Sequence, residues 1–301
     1  MQKIIPHLWF ATQAKEAAAF YVSAFGGDSK VTHSSVLKNT PSGDCDIVSF
    51  DLRGYSFMAI SAGPYFKINP SISFMLNFDP SMDKDVRKNL DALWEKLSDG
   101  GTPLMPLQKY DFSERYGWIK DKYGVTWQLI LTNPSGEPRP FIIPSLMFTQ
   151  DGFGKANEAI DLYTSIFKNS KRGTTAPYPP AMKQKPGTLM FADFMLEGQW
   201  FAAMDGAGEH KFAFNEAISL LVQCDTQEEI DHYWKLSAVP EAEQCGWLKD
   251  KYGVSWQVTS VMLQDIMKSG DQDKVNRITQ AILKMKKFDL ATLKKAAENM
   301  K

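Results

Sequence analysis

Cysteine and histidine are scarce in this chain, and most structural-metal and disulfide scaffolds are excluded with them. The three cysteines, Cys45, Cys224 and Cys245, are scattered with no C-x-x-C spacing. They read as reduced thiols, neither zinc ligands nor a redox pair. An excess of one charge is lacking as well. Lys and Arg number 34 against 35 Asp and Glu, a net charge of -1. That balance gives no electrostatic ground for a nucleic acid or an anionic membrane as partner. No apolar run is long enough to span a bilayer, and the first ten residues hold no signal-peptide core, so the cytoplasm is the expected compartment. A phosphate-binding P-loop and a G-x-S-x-G nucleophile elbow are both missing, and no cysteine has a basic partner that can be named. Nucleophilic catalysis therefore has no support. Aromatic residues, by contrast, are plentiful: eight tryptophans stand in a fraction of 12%, material for a pocket wall or for a core.

The 301 residues suffice for two domains, and the sequence is in fact written twice. Gly-Trp-Ile-Lys-Asp-Lys-Tyr-Gly-Val-Thr-Trp-Gln at 117–128 recurs at 246–257 with only Ile changed to Leu and Thr to Ser. The opening run at 4–10 recurs at 142–148, so that His7 falls on Ser145 and Trp9 on Met147. Between these ends Gly54, Phe57 and Ala59 fall on Gly198, Phe201 and Ala203, and Asn69 and Ser73 fall on Asn215 and Ser219. A repeat of this size is a duplicated domain, since solenoid repeats are far shorter. The expected division is one domain over 1–131, a linker rich in Pro, Gly, Ser and Asn over 132–140, a second domain over 141–262 and a charged tail over 263–301.

Each copy opens on a short apolar run that suits a buried strand, followed by a helical stripe: Ala14, Ala17, Ala18, Tyr21 and Phe25 in the first, Ala156, Ala159, Ile160, Tyr163 and Phe167 in the second. Strand runs at 45–52 and 55–61, and at 190–196 and 199–204, flank Gly54 and Gly198 as hairpins. A second round follows, with strands at 72–78 and 218–224, helices at 81–98 and 226–237, and a closing pair around 117–122 and 126–131. Each copy thus reads β-α-β-β-β twice, the third β of each round carrying the faintest pattern. Helices on one face of a mostly antiparallel sheet make an α+β fold. In the tail Val275, Ile278, Ile282 and Met285 form one helical stripe, and Asp289 stands as the cap of a last helix bearing Leu290, Leu293 and Ala297.

The paired β-α-β-β-β rounds resemble the vicinal oxygen chelate superfamily, which contains glyoxalase I, extradiol dioxygenases and bleomycin-resistance proteins. Residues 206–219, the repeated Trp-Gln segment and Leu283-Lys284-Met285-Lys286-Lys287 resemble its PhnB-like branch, often labelled 3-demethylubiquinone 3-methyltransferase. The resemblance implies two tandem domains, each a sheet curled around a cavity. It implies metal ligands, where a metal is used, as His or Glu on the first and last strands of each domain. At those places the first copy offers His7 and Gln128, the second Ser145 and Gln257. A neutral amide is a poor ligand beside a carboxylate, so no metal or other cofactor is expected, and a divalent metal would have His7 as its one candidate.

The side chains expected to touch a ligand are His7, Trp9, Gln128, His210 and Gln257. His210 lies in the loop at 206–212 that the family keeps near its cavity, as a hydrogen-bond partner or general base. Neighbours on a strand face opposite ways: if Trp127 and Trp256 pack under the helices, Gln128 and Gln257 face the cavity, and the reverse stays open. Lys120, Asp121 and Lys122 read most simply as a solvated hairpin tip. The expected function is binding or sequestering a small organic molecule. The alternatives are a metal-dependent lyase, isomerase or dioxygenase, a structural duplicate mimicking the dimer of single-domain relatives, and the methyltransferase of the family label. Against the last stands its only glycine-rich run, Asp205-Gly206-Ala207-Gly208, which has no helix after it to bind a nucleoside. A homodimer is left open.

Overall fold

A computed structural model describes residues 2–133 and 137–298. The first copy runs β1 (Ile4–Phe10), α1 (Ala14–Phe25), β2 (Lys30–Thr40), β3 (Gly43–Leu52), β4 (Tyr55–Ser61), β5 (Ile72–Phe78), α2 (Val86–Ser98), β6 (Thr102–Tyr110), β7 (Ser113–Lys120) and β8 (Thr126–Leu131). The second runs β9 (Ile142–Phe148), α3 (Ala156–Ile166), β10 (Lys171–Pro177), β11 (Leu189–Leu196), β12 (Gln199–Asp205), β13 (Ile218–Cys224), α4 (Gln227–Tyr233), β14 (Trp247–Lys249) and β15 (Ser255–Ser260). Three tail helices follow: α5 (Val261–Lys268), α6 (Gln272–Ile282) and α7 (Leu290–Glu298). The expected rounds are there except in the last, which has two strands after its helix instead of three. The shortened connection ahead of Cys245 leaves no chain for the third. The helix expected over 81–98 starts late: the Asp79 carboxylate accepts from the Ser81 amide in a turn, and α2 begins only at Val86.

The sheets are not assembled copy by copy. One has the order β14-β15-β13-β1-β4-β3-β2, the other β10-β11-β12-β9-β5-β8-β7-β6. Each joins the first round of one copy to the second round of the other through a central antiparallel pair, β1 with β13 and β5 with β9. The compact units follow the sheets. The first takes the chain up to Val22, Asp28–Lys67 and everything from Asn215; the second takes Ser23–Gly27 and Ile68–Phe214. They do not coincide with the repeats over 1–131 and 141–262. The described residues of the stretch over 132–140 fall inside the second unit, with Asn133, Glu137, Pro138 and Pro140 exposed.

Helices cover one face of each sheet for a stereochemical reason. In the first unit Ala14, Ala17, Ala18 and Tyr21 are fully buried; the small alanines let the helix approach while Tyr21 stacks on Phe50, and Phe50 on Phe57. Trp256 and Tyr233 are buried in the same unit, and each such side chain contributes about 1.5–3 kcal/mol of burial free energy. The first helical amides are bonded from the hairpin strand: Ala14 N–H donates to Ser61 Oγ at 3.0 Å, and in the second unit Gly154 and Ala156 N–H donate to Asp205 Oδ1 at 2.8 and 3.1 Å. Asp205 is therefore a helix cap.

The repeated turn before Trp-Gln departs from the expected solvated tip. Asp121 and Asp250 are buried. Asp250 Oδ1 accepts from the amides of Tyr252 and Val254 at 2.8 and 3.0 Å, and its Oδ2 from the Trp256 indole at 2.9 Å. Asp121 repeats all three bonds with Tyr123, Val125 and Trp127. The lysines beside each Asp suggested solvent, but three convergent N–H donors compensate a buried carboxylate. The two tryptophans thus belong to the helix-covered face, and their glutamines to the opposite one.

Candidate functional site

In the first unit the sheet face opposite α1 and α4 borders a cavity of about 220 Å³. Strand alternation supplies its floor: His7 and Trp9 on β1, Met58 and Ile60 on β4, Leu221 on β13, Gln257 on β15. Tail residues, among them Leu263, Met267, Ile282 and Phe288, line it as well. The tail is held there by backbone bonds from Cys245 and Gly246 N–H to the carbonyls of Met285 and Lys286, both 2.8 Å.

His7 is only 4% exposed, and its Nδ1 is buried without a hydrogen-bond partner. Desolvation pushes its pKa down from 6.5 to about 4, so the ring is neutral near pH 7. It lies edge-to-face with Trp247, centroids 6.0 Å apart, and Trp9 lies edge-to-face with both Trp247 and Phe66. The Trp9 indole N–H is spent on the Gly63 carbonyl at 2.8 Å, so toward the cavity it offers an aromatic surface and no donor. His7 pairs across the strands with Ser219, whose Oγ accepts from the Gln257 amide at 2.9 Å. His7 and Gln257, the latter bonded to Ser219, stand together on the floor of a mostly apolar and aromatic lining to which His33, Ser49, Gln264 and Lys268 add further polar walls.

That grouping crosses the copies. The sequence set His7 beside Gln128 and Ser145 beside Gln257; strand exchange sets His7 with Gln257 and Ser145 with Gln128. In the second unit Ser145 pairs with Ser73, whose Oγ accepts from Gln128 at 2.6 Å. Gln128 Oε1 in turn accepts from the Tyr116 hydroxyl at 2.8 Å, so this amide is held by protein groups. Around it Met75, Ile143, Trp200 and Ala202 pack together, and so do Tyr116, Trp118 and Met147 with Phe212 against them. The Arg139 guanidinium lies 3.5 Å from the Trp200 ring centre, with its Nε 2.8 Å from Asp193. His210 also lies in the second unit, with Nε2 3.2 Å from the Ala207 carbonyl and its ring against Phe212. Of the five residues expected to meet a ligand, the structure brings His7, Trp9 and Gln257 together and leaves Gln128 and His210 elsewhere. His33 on β2 and the tail side chains join the lining without having been singled out. His33 lies on a polar edge strand with no strong period, and the tail shows its stripe but not what the stripe covers.

A divalent metal does not fit the donor set. The imidazoles of His7 and His33, the Cys245 thiol, whose pKa burial raises, and the hydroxyls and amides of the lining carry no negative charge to offset the ion's dehydration. Among the described residues no group of three His, Cys, Asp or Glu side chains is placed to hold one.

Compared with known proteins, residues 2–130 and 140–259 match the family described as 3-demethylubiquinone-9 3-methyltransferase. The chain belongs to this family. Both copies match it, so the family domain occurs twice in tandem. The PhnB protein from Bacillus cereus is 34% identical; the match covers 44% of this chain and all of that one, with a TM-score of 0.39. A protein from Pseudomonas aeruginosa is 25% identical over 44% of this chain and 98% of its own, with a TM-score of 0.35. Glyoxalase I from Zea mays is 13% identical over 85% of this chain and 92% of its own, with a TM-score of 0.51, a likeness of fold. No curated protein matches the chain. The fold is that of the vicinal oxygen chelate superfamily, and among the described residues no helix is long and apolar enough to cross a membrane.

Proposed function

We propose that the first unit binds one small, largely apolar organic molecule in the cavity beside His7, Trp9 and Gln257, sequestering it as bleomycin-resistance-type proteins of this superfamily do. The observation that carries this reading is the cavity itself: aromatic walls enclosing a buried, neutral imidazole whose Nδ1 has no partner. An apolar pocket with a few convergent polar groups is the general form of a small-molecule site. Its volume of about 220 Å³ lies below the roughly 300–1,000 Å³ of sites for drug-sized ligands, which favours a molecule of one or two rings. Metal-dependent lyase, isomerase or dioxygenase chemistry is disfavoured by the uncharged donor set. Methyl transfer needs a site for a nucleoside-bearing donor, and Asp205, the acidic residue of the glycine-rich run, is committed to capping α3.

The test is native mass spectrometry of the chain as purified and after incubation with one- and two-ring aromatic fragments. One fragment should bind per chain, and Leu221→Trp, which fills the cavity, should abolish it. Equal binding to the variant, or a stoichiometric divalent metal in the untreated protein, would overturn the proposal.

A further inference from the structure

Beside this cavity, in the same unit, lies a second, more polar space of about 150 Å³. The two share Ser49, Met58, Gln264 and Lys268 as walls. Three glutamines line this recess, and Gln2 is bonded to the backbone of Ile4 and Ser56, which leaves two. Gln223 on β13 is 4% exposed and its Oε1 is buried with no hydrogen-bond partner; Gln264 on α5 is half-buried and its Nε2 is likewise unpartnered. A buried acceptor and a buried donor left unsatisfied each cost about 1–3 kcal/mol, and a protein retains two such groups in one recess when something else completes them.

Resting on the small-molecule reading above, we propose that the recess between β13 and α5 is a subsite for a neutral group that both donates and accepts hydrogen bonds, a carboxamide or its equivalent, on a ligand whose ring body occupies the main cavity. One planar amide supplies an N–H for Gln223 Oε1 and a carbonyl for Gln264 Nε2. Turning both glutamine amides over exchanges their donor and acceptor ends together and keeps the match to a donor–acceptor group. Asp51, Asp265 and Lys268 also line the recess, so its walls carry both signs, and the choice of a neutral group rests on the two amide ends. Two hydrogen bonds flanking an apolar body also set direction: the ring end lies toward the indoles of Trp9 and Trp247 and the polar end toward the tail. Gln264 becomes a specificity-determining residue contributed by the tail and not by either copy of the family domain.

Ligand-observed NMR titration of the full chain with four probes of one size tests this: 2-naphthamide, 2-methylnaphthalene, 2-naphthoate and 2-naphthylmethylammonium. The amide should bind about tenfold or more tighter than the hydrocarbon and than either ion. Gln223→Met and Gln264→Met keep volume and remove the polar ends. Each should weaken the amide about three- to tenfold, the range of one hydrogen bond, and leave the hydrocarbon unchanged, which also shows that the cavity of the variant is intact. Equal affinity for amide and hydrocarbon, preference for either ion, or Met variants that bind all probes like the parent would overturn the subsite while the main cavity stood. Failure of every probe, or binding that survives Leu221→Trp, would overturn the small-molecule reading and the subsite with it.

Discussion

Replacing Asp250 by Ala removes one carboxylate and strands three donors. The Tyr252 and Val254 amides and the Trp256 indole N–H donate to it at 2.8–3.0 Å, and Asp250 is 0% exposed. Each stranded buried donor costs about 1–3 kcal/mol. The sum is not additive, because the turn can relax and admit water, and about 3–5 kcal/mol is the expected loss. For a cooperative unit of this size that is a fall in Tm of roughly 8–15 °C. Asp250→Asn should cost less. The Asn Oδ1 can still serve the two backbone amides, but its NH2 group then faces the indole N–H, donor against donor. Asp121→Ala and Asp121→Asn should give the same pattern in the second unit, where the three bonds recur. The measurement is urea unfolding of the four variants beside the parent. Losses within about 0.5 kcal/mol, the usual range of surface substitutions, would refute the buried-turn account and restore the solvated tip.

Acid should weaken the first unit through His7. Its folded pKa is about 4 against 6.5 for the free side chain, so from pH 6.5 down to 4 the unfolded chain takes up a proton that the folded one refuses. Stability is lost across that window, by about 3 kcal/mol from this group, and His7→Leu should flatten that part of the pH profile in urea titrations. Arg139→Ala should cost roughly 2–4 kcal/mol, since it removes the stacking on Trp200 and leaves the buried Asp193 carboxylate without its cation. Arg139→Lys should recover only a fraction of it. Gly246 has φ +84°, and a Cβ there would lie 2.7 Å from the Phe288 ring, so Gly246→Ala should destabilise by about 2 kcal/mol and displace Phe288 from the cavity wall. Deleting 263–301 removes the buried Leu263, Ile266, Val275, Ile278 and Leu293, and thermal unfolding should show a lower Tm.

The duplicated architecture could be read in the sequence because it is carried by strong periods: alanine-spaced α1 and α3, the hairpins at Gly54 and Gly198, the apolar β5 and β13. Of the three tail helices α6 and α7 were legible for the same reason, and Asp289 accepts from the Thr292 amide as the last cap, but α6 ends at Ile282 and leaves Met285 outside it, and α5 carried no separate signal. Strands β2, β6 and β10 left almost no signal because they are largely exposed edge strands, and edges need no alternation. Which copy's round pairs with which is a long-range choice. Rounds so alike in sequence leave both pairings open, which is why Gln128 was set with His7 when the sheet sets Gln257 there. The packing on the second unit's face was hidden too, since Met75, Tyr116, Trp118 and Trp200 are aromatic or apolar whether they line a cavity or pack together. Ser145, where the first copy has His7, was the one visible sign that the two faces differ.

The central claim is one ligand per chain, held in the first unit. Calorimetric titration of the full chain with 2-naphthamide tests it most directly. The account predicts a single site per chain and its loss in Leu221→Trp. Two sites per chain, or a titration that Leu221→Trp leaves unchanged, would contradict it.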